Sequence, residues 1–540
     1  MSFDPLLIIL ITVAAVVIYV KFAVYPDVDP YALEHQSSVS VVRNEGESAI
    51  YRSSAAPIGR PLIEGLAISS GRSMQTRPGT FFDIWTLAIK KLLLRTARTT
   101  YGVEQVNHND AEKIVSKLGP VLKKAQSGAS TMCILSSNSV ETLLTVFASV
   151  LYGVPISIIH TDKESLSNIE ILLEAADPFS IIVSDERLLK DIPLEKYTPH
   201  LRYILYTGLE PVGVSTEAEI YQWKKFVENL HVEENSIPMQ DTEFPIRVIY
   251  PSIALPTSTK DNKALITKFT HQNIAAAVAT NIKILPKSQQ WTDKDTILLF
   301  TSQFTVFSLV AQLSALISQS TVAYIEVELA LPSAVLEQIQ PTVLINDNYS
   351  TLSLLNLRQD LTLTQEIHYA FNRAALSRGT LHKTPVIKYF KSVNQIFSST
   401  MVYPDQQEMI KGSPDVKATD DQLTNGQANA IRALTGAHFV HALTTPTVAS
   451  SVSQTNIWDY REDSFDQFKN NNVTCINFGS VMSCIEARLV DSEPDSVDTY
   501  NYGQLQVRGF SCGADLLTWH DTGISGLFTH DGCFRLVYEN

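Results

Sequence analysis

The stretch TMCILSSNSVETLLTVFASVLYGVPISIIHT, Thr131 to Thr161, decides the reading of the fold. Two continuous apolar runs, TMCIL and VPISII, flank a helical segment. Short apolar runs bounded by turn residues fit strands buried on both faces. Parallel strands need a long crossover, which is usually a helix. The stretch reads as strand, turn, helix and strand, a βαβ unit.

The theme continues outward. IEILLEAADPFSIIVSD repeats helix then strand, and IRVIY, TILLF, TVAYIEV and PTVLIND supply further buried strands. The fold class is therefore α/β, with layered, largely parallel sheets over residues 106–474. Upstream, residues 26–105 read as an extended lead-in followed by helical patterns, FFDIWTLAIKKLLLRTAR and AEKIVSKLGPVLKKAQ. From Cys475 the pattern changes. CINFG, EARLVDSE, YGQLQVRGF and CFRLVYEN are short strands between turns, so residues 475–540 are expected to form a β-rich subdomain.

The 540 residues carry 42 basic and 56 acidic side chains, a net charge of −14. That excludes a general nucleic-acid binder, which needs a positive face to displace counterions. The five cysteines, Cys133, Cys475, Cys484, Cys512 and Cys533, form no CxxC pair, so no zinc site is expected. Sparse, odd-numbered thiols fit a reducing, cytosol-facing body, where the sequons at Asn348 and Asn472 have no role.

PLLIILITVAAVVIYV, Pro5 to Val20, has no charge. As a helix, residues 5–25 would span about 31 Å, enough for the hydrocarbon core. The preceding MSFD lacks the basic residue of a signal peptide. Residues 1–25 are therefore read as one transmembrane anchor, and Lys21 on its C-terminal flank favours a cytosolic body.

Several segments, in their order, carry a resemblance. These are RNEGESAIYRS (43–53), RPGTFFDIW (77–85), CILSSNSVETLL followed by YGVP, THQN (270–273), GSV (479–481), CIEARLVD (484–491), GQLQVRG (503–509), TG at Thr522–Gly523 and DG at Asp531–Gly532. Together they resemble the adenylate-forming enzymes, most closely the fungal long-chain acyl-CoA synthetases. The resemblance implies a reaction that joins a carboxylate to the α-phosphate of ATP and passes the acyl group to coenzyme A. Such chemistry needs backbone N–H groups, a cation and magnesium around the developing charge.

The resemblance also shows where this chain departs. The family's glycine-rich phosphate loop falls on YPSIALPTSTKDNKALITKFTHQN, Tyr250 to Asn273. Ser252, Lys263 and Thr270 match it, but the glycines do not survive. Ile253 brings a branched Cβ where phosphate would pack. Lys260, Lys263 and Lys268 leave some positive charge. In the adenine and magnesium motif, His441 stands for the aromatic, Thr444 for the threonine and Thr445 for the glutamate. Thr522 keeps the threonine of the ribose motif, and Ile524 replaces its aspartate. Thr305 falls where the substrate-side histidine would be. The sequence ends at Asn540, where the resemblance would continue into a small domain with a catalytic lysine.

These losses predict an inactive relative: an endoplasmic-reticulum protein of lipid metabolism that binds a fatty acyl chain or a protein partner, without cofactor or metal. An active long-chain ligase using ATP, Mg and coenzyme A through an atypical loop is the alternative. A third reading is a lipid hydrolase using Ser511, because GFSCG (509–513) matches G-x-S-x-G.

Overall fold

The computed structural model describes residues 10–15, 25–69, 75–98, 102–191, 198, 200–208, 218–230, 237–238, 243–251, 263–301, 303–325, 333–403, 423–462, 473–490, 502–513 and 518–539. Two α/β sheets form its centre. The first has seven strands in the order Glu219–Gln222, Tyr203–Tyr206, Pro178–Val183, Thr131–Leu135, Ile156–Ile159, Ile246–Pro251, Ala264–Phe269. All neighbours are parallel except the last pair. The second has nine, with a parallel centre made by Leu93–Arg98, Thr321–Ile325, Thr296–Phe300, Val343–Asp347, Gln395–Met401 and His438–Thr444.

Side-chain alternation explains the layering. Met132, Ile134, Ile156 and Ile158 enter the same buried cluster as Ile297, Leu299, Val343 and Ile345 of the second sheet. Cys133, Leu135 and Ile159 face the other way, into a cluster with Leu172 and Leu173. Leu298 and Leu344 likewise face an outer cluster with Leu376 and Leu434. Each parallel sheet is thus covered on both faces, which is why its strands read as unbroken apolar runs.

The helix Val140–Leu151 lies in the shared layer, and every one of its residues is buried. Ser139 starts it, its hydroxyl accepting from Thr142 N at 3.1 Å. Helices Phe81–Ala88, His271–Ile284 and Val306–Ile317 contribute to the same layer.

The third sheet is antiparallel. It joins Val473–Asn477, Ile485–Val490, Tyr502–Gly509, His520–Phe528 and Phe534–Glu539 to two early strands, Ser37–Val39 and Tyr51–Ser53. The late stretch is therefore β-rich, and the lead-in completes its sheet. Ser37 Oγ donates to Gly532 O at 2.6 Å, and Gly532 has φ +77°, with no room for a Cβ against Ser37.

One expected helix is shorter than its pattern. FFDIWTLAIKKLLLRTAR is helical only over Phe81–Ala88, with a 3₁₀ turn at Ile89–Lys91. Leu93–Arg98 is a strand pairing with Val322–Ile325. Pairing across the sheet overrides local helix propensity here.

Among the described residues no helix is long and apolar enough to cross a membrane. Most of Pro5–Val20 lies outside them. Residues 10–15 are helical, and Leu10, Ile11 and Val13 are exposed.

Candidate functional site

In open α/β sheets, ligands bind beyond the carboxyl ends of the strands. Here four such ends carry the relevant residues. His160 follows Ile156–Ile159, Tyr250 closes Ile246–Pro251, Tyr403 follows Gln395–Met401, and Thr444 ends His438–Thr444. His160 Nδ1 lies 2.7 Å from the Tyr403 hydroxyl, joining the two sheets. Tyr403 in turn donates to the Asp162 carboxylate. That fixes the proton on His160 Nδ1, because the phenol has one hydrogen to give. His160 Nε2 is then a buried acceptor with no partner among the described residues. Burial pushes the pKa of His160 down, against the attraction of Asp162. Tyr250 lies near Tyr403, ring centroids 6.3 Å apart.

His160, Asp162 and Tyr403 are absent from the sequence-derived candidates. The signal available was position: His160 and Asp162 directly follow the second strand of the βαβ unit.

The nucleotide-site positions are placed as follows. Ser252, Lys260 and the whole 252–262 stretch lie outside the described residues. Lys263 is exposed beside the strand Ala264–Phe269. Lys268 Nζ sits 5.7 Å from the centre of the Phe244 ring.

Thr270 is the N-cap of the helix His271–Ile284. Its backbone N donates to Asn273 Oδ1 at 2.7 Å, and its hydroxyl accepts from Asn273 N at 3.2 Å. Asn273 Nδ2 also reaches Phe510 O at 2.8 Å. The surviving T-H-x-N is thus a capping box that also ties the third sheet to the first. Thr305 caps Val306–Ile317 in the same way, paired with Ser308.

His441 is buried, its Nε2 2.8 Å from Thr400 Oγ1 and its ring centroid 4.3 Å from that of Phe478. Burial, reinforced by Arg432, lowers its pKa to about 3. It is a neutral core histidine with one side of its ring covered. Thr444 donates to Thr400 O at 3.1 Å. Thr445 Oγ1 lies 2.6 Å from Thr447 Oγ1 and accepts from Thr447 N at 3.0 Å. A hydroxyl closed into this turn brings no charge to a hard cation. Among the described residues no three His, Cys, Asp or Glu side chains are grouped to hold a metal.

Thr522 donates to Leu505 O at 2.7 Å. Ile524 is fully buried, in one cluster with Val402, Leu443 and Val448. The position where the resemblance expects a ribose-binding carboxylate is thus a buried apolar side chain.

Ser511 is not a nucleophile elbow. Its side chain has no solvent exposure, lies 2.9 Å from Ser450 Oγ and accepts from Cys484 Sγ at 3.2 Å. The strand before it is antiparallel. His530 and Asp521 are exposed and are not among its partners. A triad needs a histidine within hydrogen-bond reach of the serine.

A cavity of about 480 Å³ lies between residues 26–34 and the helix Leu363–Leu376. None of His160, Tyr250, Tyr403, Thr444, Thr445 or Ile524 lines it.

No family model matches the chain. A Saccharomyces cerevisiae protein described as uncharacterized, YHR045W, is 23% identical over 95% of this chain and 94% of its own length. Among solved structures, the luciferase-like enzyme of the nonluminescent mealworm Zophobas morio superposes with a TM-score of 0.56 at 14% identity, covering 89% of this chain and 99% of that one. The anthranilate CoA ligase AuaEII, solved with anthranoyl-AMP, gives 0.57 at 14% identity over 84% and 76%. The N-terminal subdomain of Klebsiella oxytoca NpsA gives 0.53 at 12% identity over 85% and 99%. The chain has the fold of the adenylate-forming enzymes.

Proposed function

We propose that this chain is a membrane-anchored, long-chain acyl-CoA-synthetase-like protein of lipid metabolism that does not form adenylates. It holds an acyl chain or a partner enzyme on a retained scaffold. The observation that carries the reading is Ile524, buried in an apolar cluster at the position matched to the ribose aspartate. Two ribose hydroxyls left dry there would cost about 1–3 kcal/mol each. Thr445, turned onto Thr447, supports the same conclusion for magnesium. The uncharged Pro5–Val20 run supports anchoring through residues 5–25, with the body on the cytosolic face of the endoplasmic reticulum.

The test is turnover. The full chain, given oleate, ATP, magnesium and coenzyme A, should yield neither oleoyl-AMP nor oleoyl-CoA, and should bind no ATP. Turnover within about tenfold of an ordinary ligase, a barrier difference of about 1.4 kcal/mol, would sink the reading. It would instead favour an active ligase that grips phosphate through lysine side chains.

A further inference from the structure

The helix Leu363–Leu376 turns an apolar face to solvent. Leu363, Ile367 and Phe371, four residues apart, are 79%, 65% and 48% exposed. Ala370 and Ala374 are exposed beside them. Residues at this spacing share one helix face. The inner face is separate and filled by Tyr369, Asn372, Ala375 and Leu376. The helix's charged residues do not screen the stripe. Glu366 pairs with Arg358 at 3.7 Å, and Arg373 with Glu462 at 2.7 Å. A surface helix normally shows water its polar side.

Two further observations say what covers this face. First, the N-terminal segment arrives beside it. Thr380 Oγ1 donates to Tyr25 O at 3.1 Å, Asp27 N to Gly379 O at 2.9 Å, and Leu381 N to Asp27 Oδ2 at 2.9 Å. The uncharged Pro5–Val20 run therefore ends only five residues from a point fixed to the C-terminal end of this helix. Tyr25 and Tyr31 are exposed there, at 82% and 67%. Second, the acidic excess of the chain is absent here. Residues 358–391 hold six basic side chains (Arg358, Arg373, Arg378, Lys383, Lys388, Lys391), and the acids around them, Asp360 and Glu366 with the adjoining Asp27, Asp29, Glu34 and Glu462, only balance them, in a chain of net charge −14.

We propose that the Leu363–Ile367–Phe371 face lies on a lipid bilayer, next to the site where the N-terminal anchor leaves the body. The inference rests on the anchoring proposed above for residues 5–25. The apolar stripe enters the headgroup boundary, and tyrosines sit at its edge. That is the pattern of an interfacial helix.

The test uses the full chain in vesicles of phosphatidylcholine and phosphatidylserine. An environment-sensitive fluorophore is attached at Ile367→Cys or Phe371→Cys, with Glu112→Cys as a control on the helix His108–Ala125. Four native cysteines are buried and Cys475 is only partly exposed, so an unsubstituted chain sets the background. Lipids carrying a nitroxide should quench the labels at 367 and 371 several-fold more than the control. A label that is blue-shifted yet unquenched would mean protein covers the face, either a second copy or the N-terminal segment itself, and would overturn the proposal. A label that is neither shifted nor quenched would overturn it as well. Carbonate extraction of the same vesicles tests the anchor separately. A chain released by carbonate but quenched before release would keep the helix contact and lose the anchor.

Discussion

His160 and Tyr403 bring the carboxyl ends of two different sheets together, with the imidazole Nδ1 2.7 Å from the phenol oxygen. The phenol in turn donates its O–H to the Asp162 carboxylate. Two side chains of the connection after Ile156–Ile159 and one from the second sheet thus bond to one another where a ligand site is expected, while His160 Nε2 keeps no partner among the described residues.

Replacing Tyr403 by Phe should therefore destabilise the protein by about 1–3 kcal/mol, because a buried donor loses its partner. The His160→Phe/Tyr403→Phe pair should cost less than the sum of the single changes. Unfolding midpoints of the four proteins measure the coupling. Additive losses would mean that the contact does not join the sheets.

Acid should weaken the fold through three buried histidines, His160 among them. Burial lowers His441 to about 3, and burial with Lys383 nearby lowers His438 to about 4. Below the unfolded value of about 6.5, the unfolded chain takes up protons that the native chain refuses. Stability is thus full above that pH and falls as pH drops toward the folded values, approaching about 1.4 kcal/mol per unit for each histidine. Native carboxylates add to the loss only lower down, so the window just below 6.5 belongs to the histidines. His441→Gln keeps a partner for Thr400 and cannot titrate. Its melting temperature should fall less steeply across that window than that of the parent. Parallel profiles would remove His441 from the acid response.

The sequence made the layered core legible for a physical reason. Strands buried on both faces must be apolar throughout, so TMCIL and VLIND are visible without a partner. The turn from helix to strand near Leu92 was not, because IKKLLLRT suits both and the choice depends on pairing with Val322–Ile325. The early strands Ser37–Val39 and Tyr51–Ser53 are three residues each, and Tyr51 pairs with Ala487. The candidate site divided in the same way. Thr270 and Asn273 stood out as the close of a phosphate-loop motif, and the part they play in the structure is to cap a helix. His160 and Tyr403 stand 243 residues apart, and no local pattern links them.

The thiols should be nearly inert in the native state. Burial pushes Cys133 up to about 12 and Cys475 up to about 11, and it raises the other three as well. A maleimide needs the thiolate and access to it. Cys475, the one partly exposed, should label first and slowly, and all five should label in denaturant. Rapid native labelling of Cys484 or Cys512 would show that the junction around Ser450 and Ser511 opens.

Restoring the missing aspartate tests whether the nucleotide space still exists. Ile524 has no solvent exposure and shares its cluster with Leu443 and Val448. Ile524→Val removes one methylene and should cost about 0.5–1.5 kcal/mol. Ile524→Asp places a carboxylate of similar or smaller size in the same apolar surroundings. Burial without a partner would either force it to stay protonated or cost several kcal/mol. The Asp variant should therefore melt well below the Val variant and should gain no ATP binding. Its deficit should shrink at acid pH relative to the parent, because a buried carboxyl with a raised pKa is better tolerated once neutral. An Asp variant as stable as the parent would mean that water already reaches this position. ATP binding by that variant would mean that the pocket persists behind a single substitution, and the non-adenylating reading would fall with it.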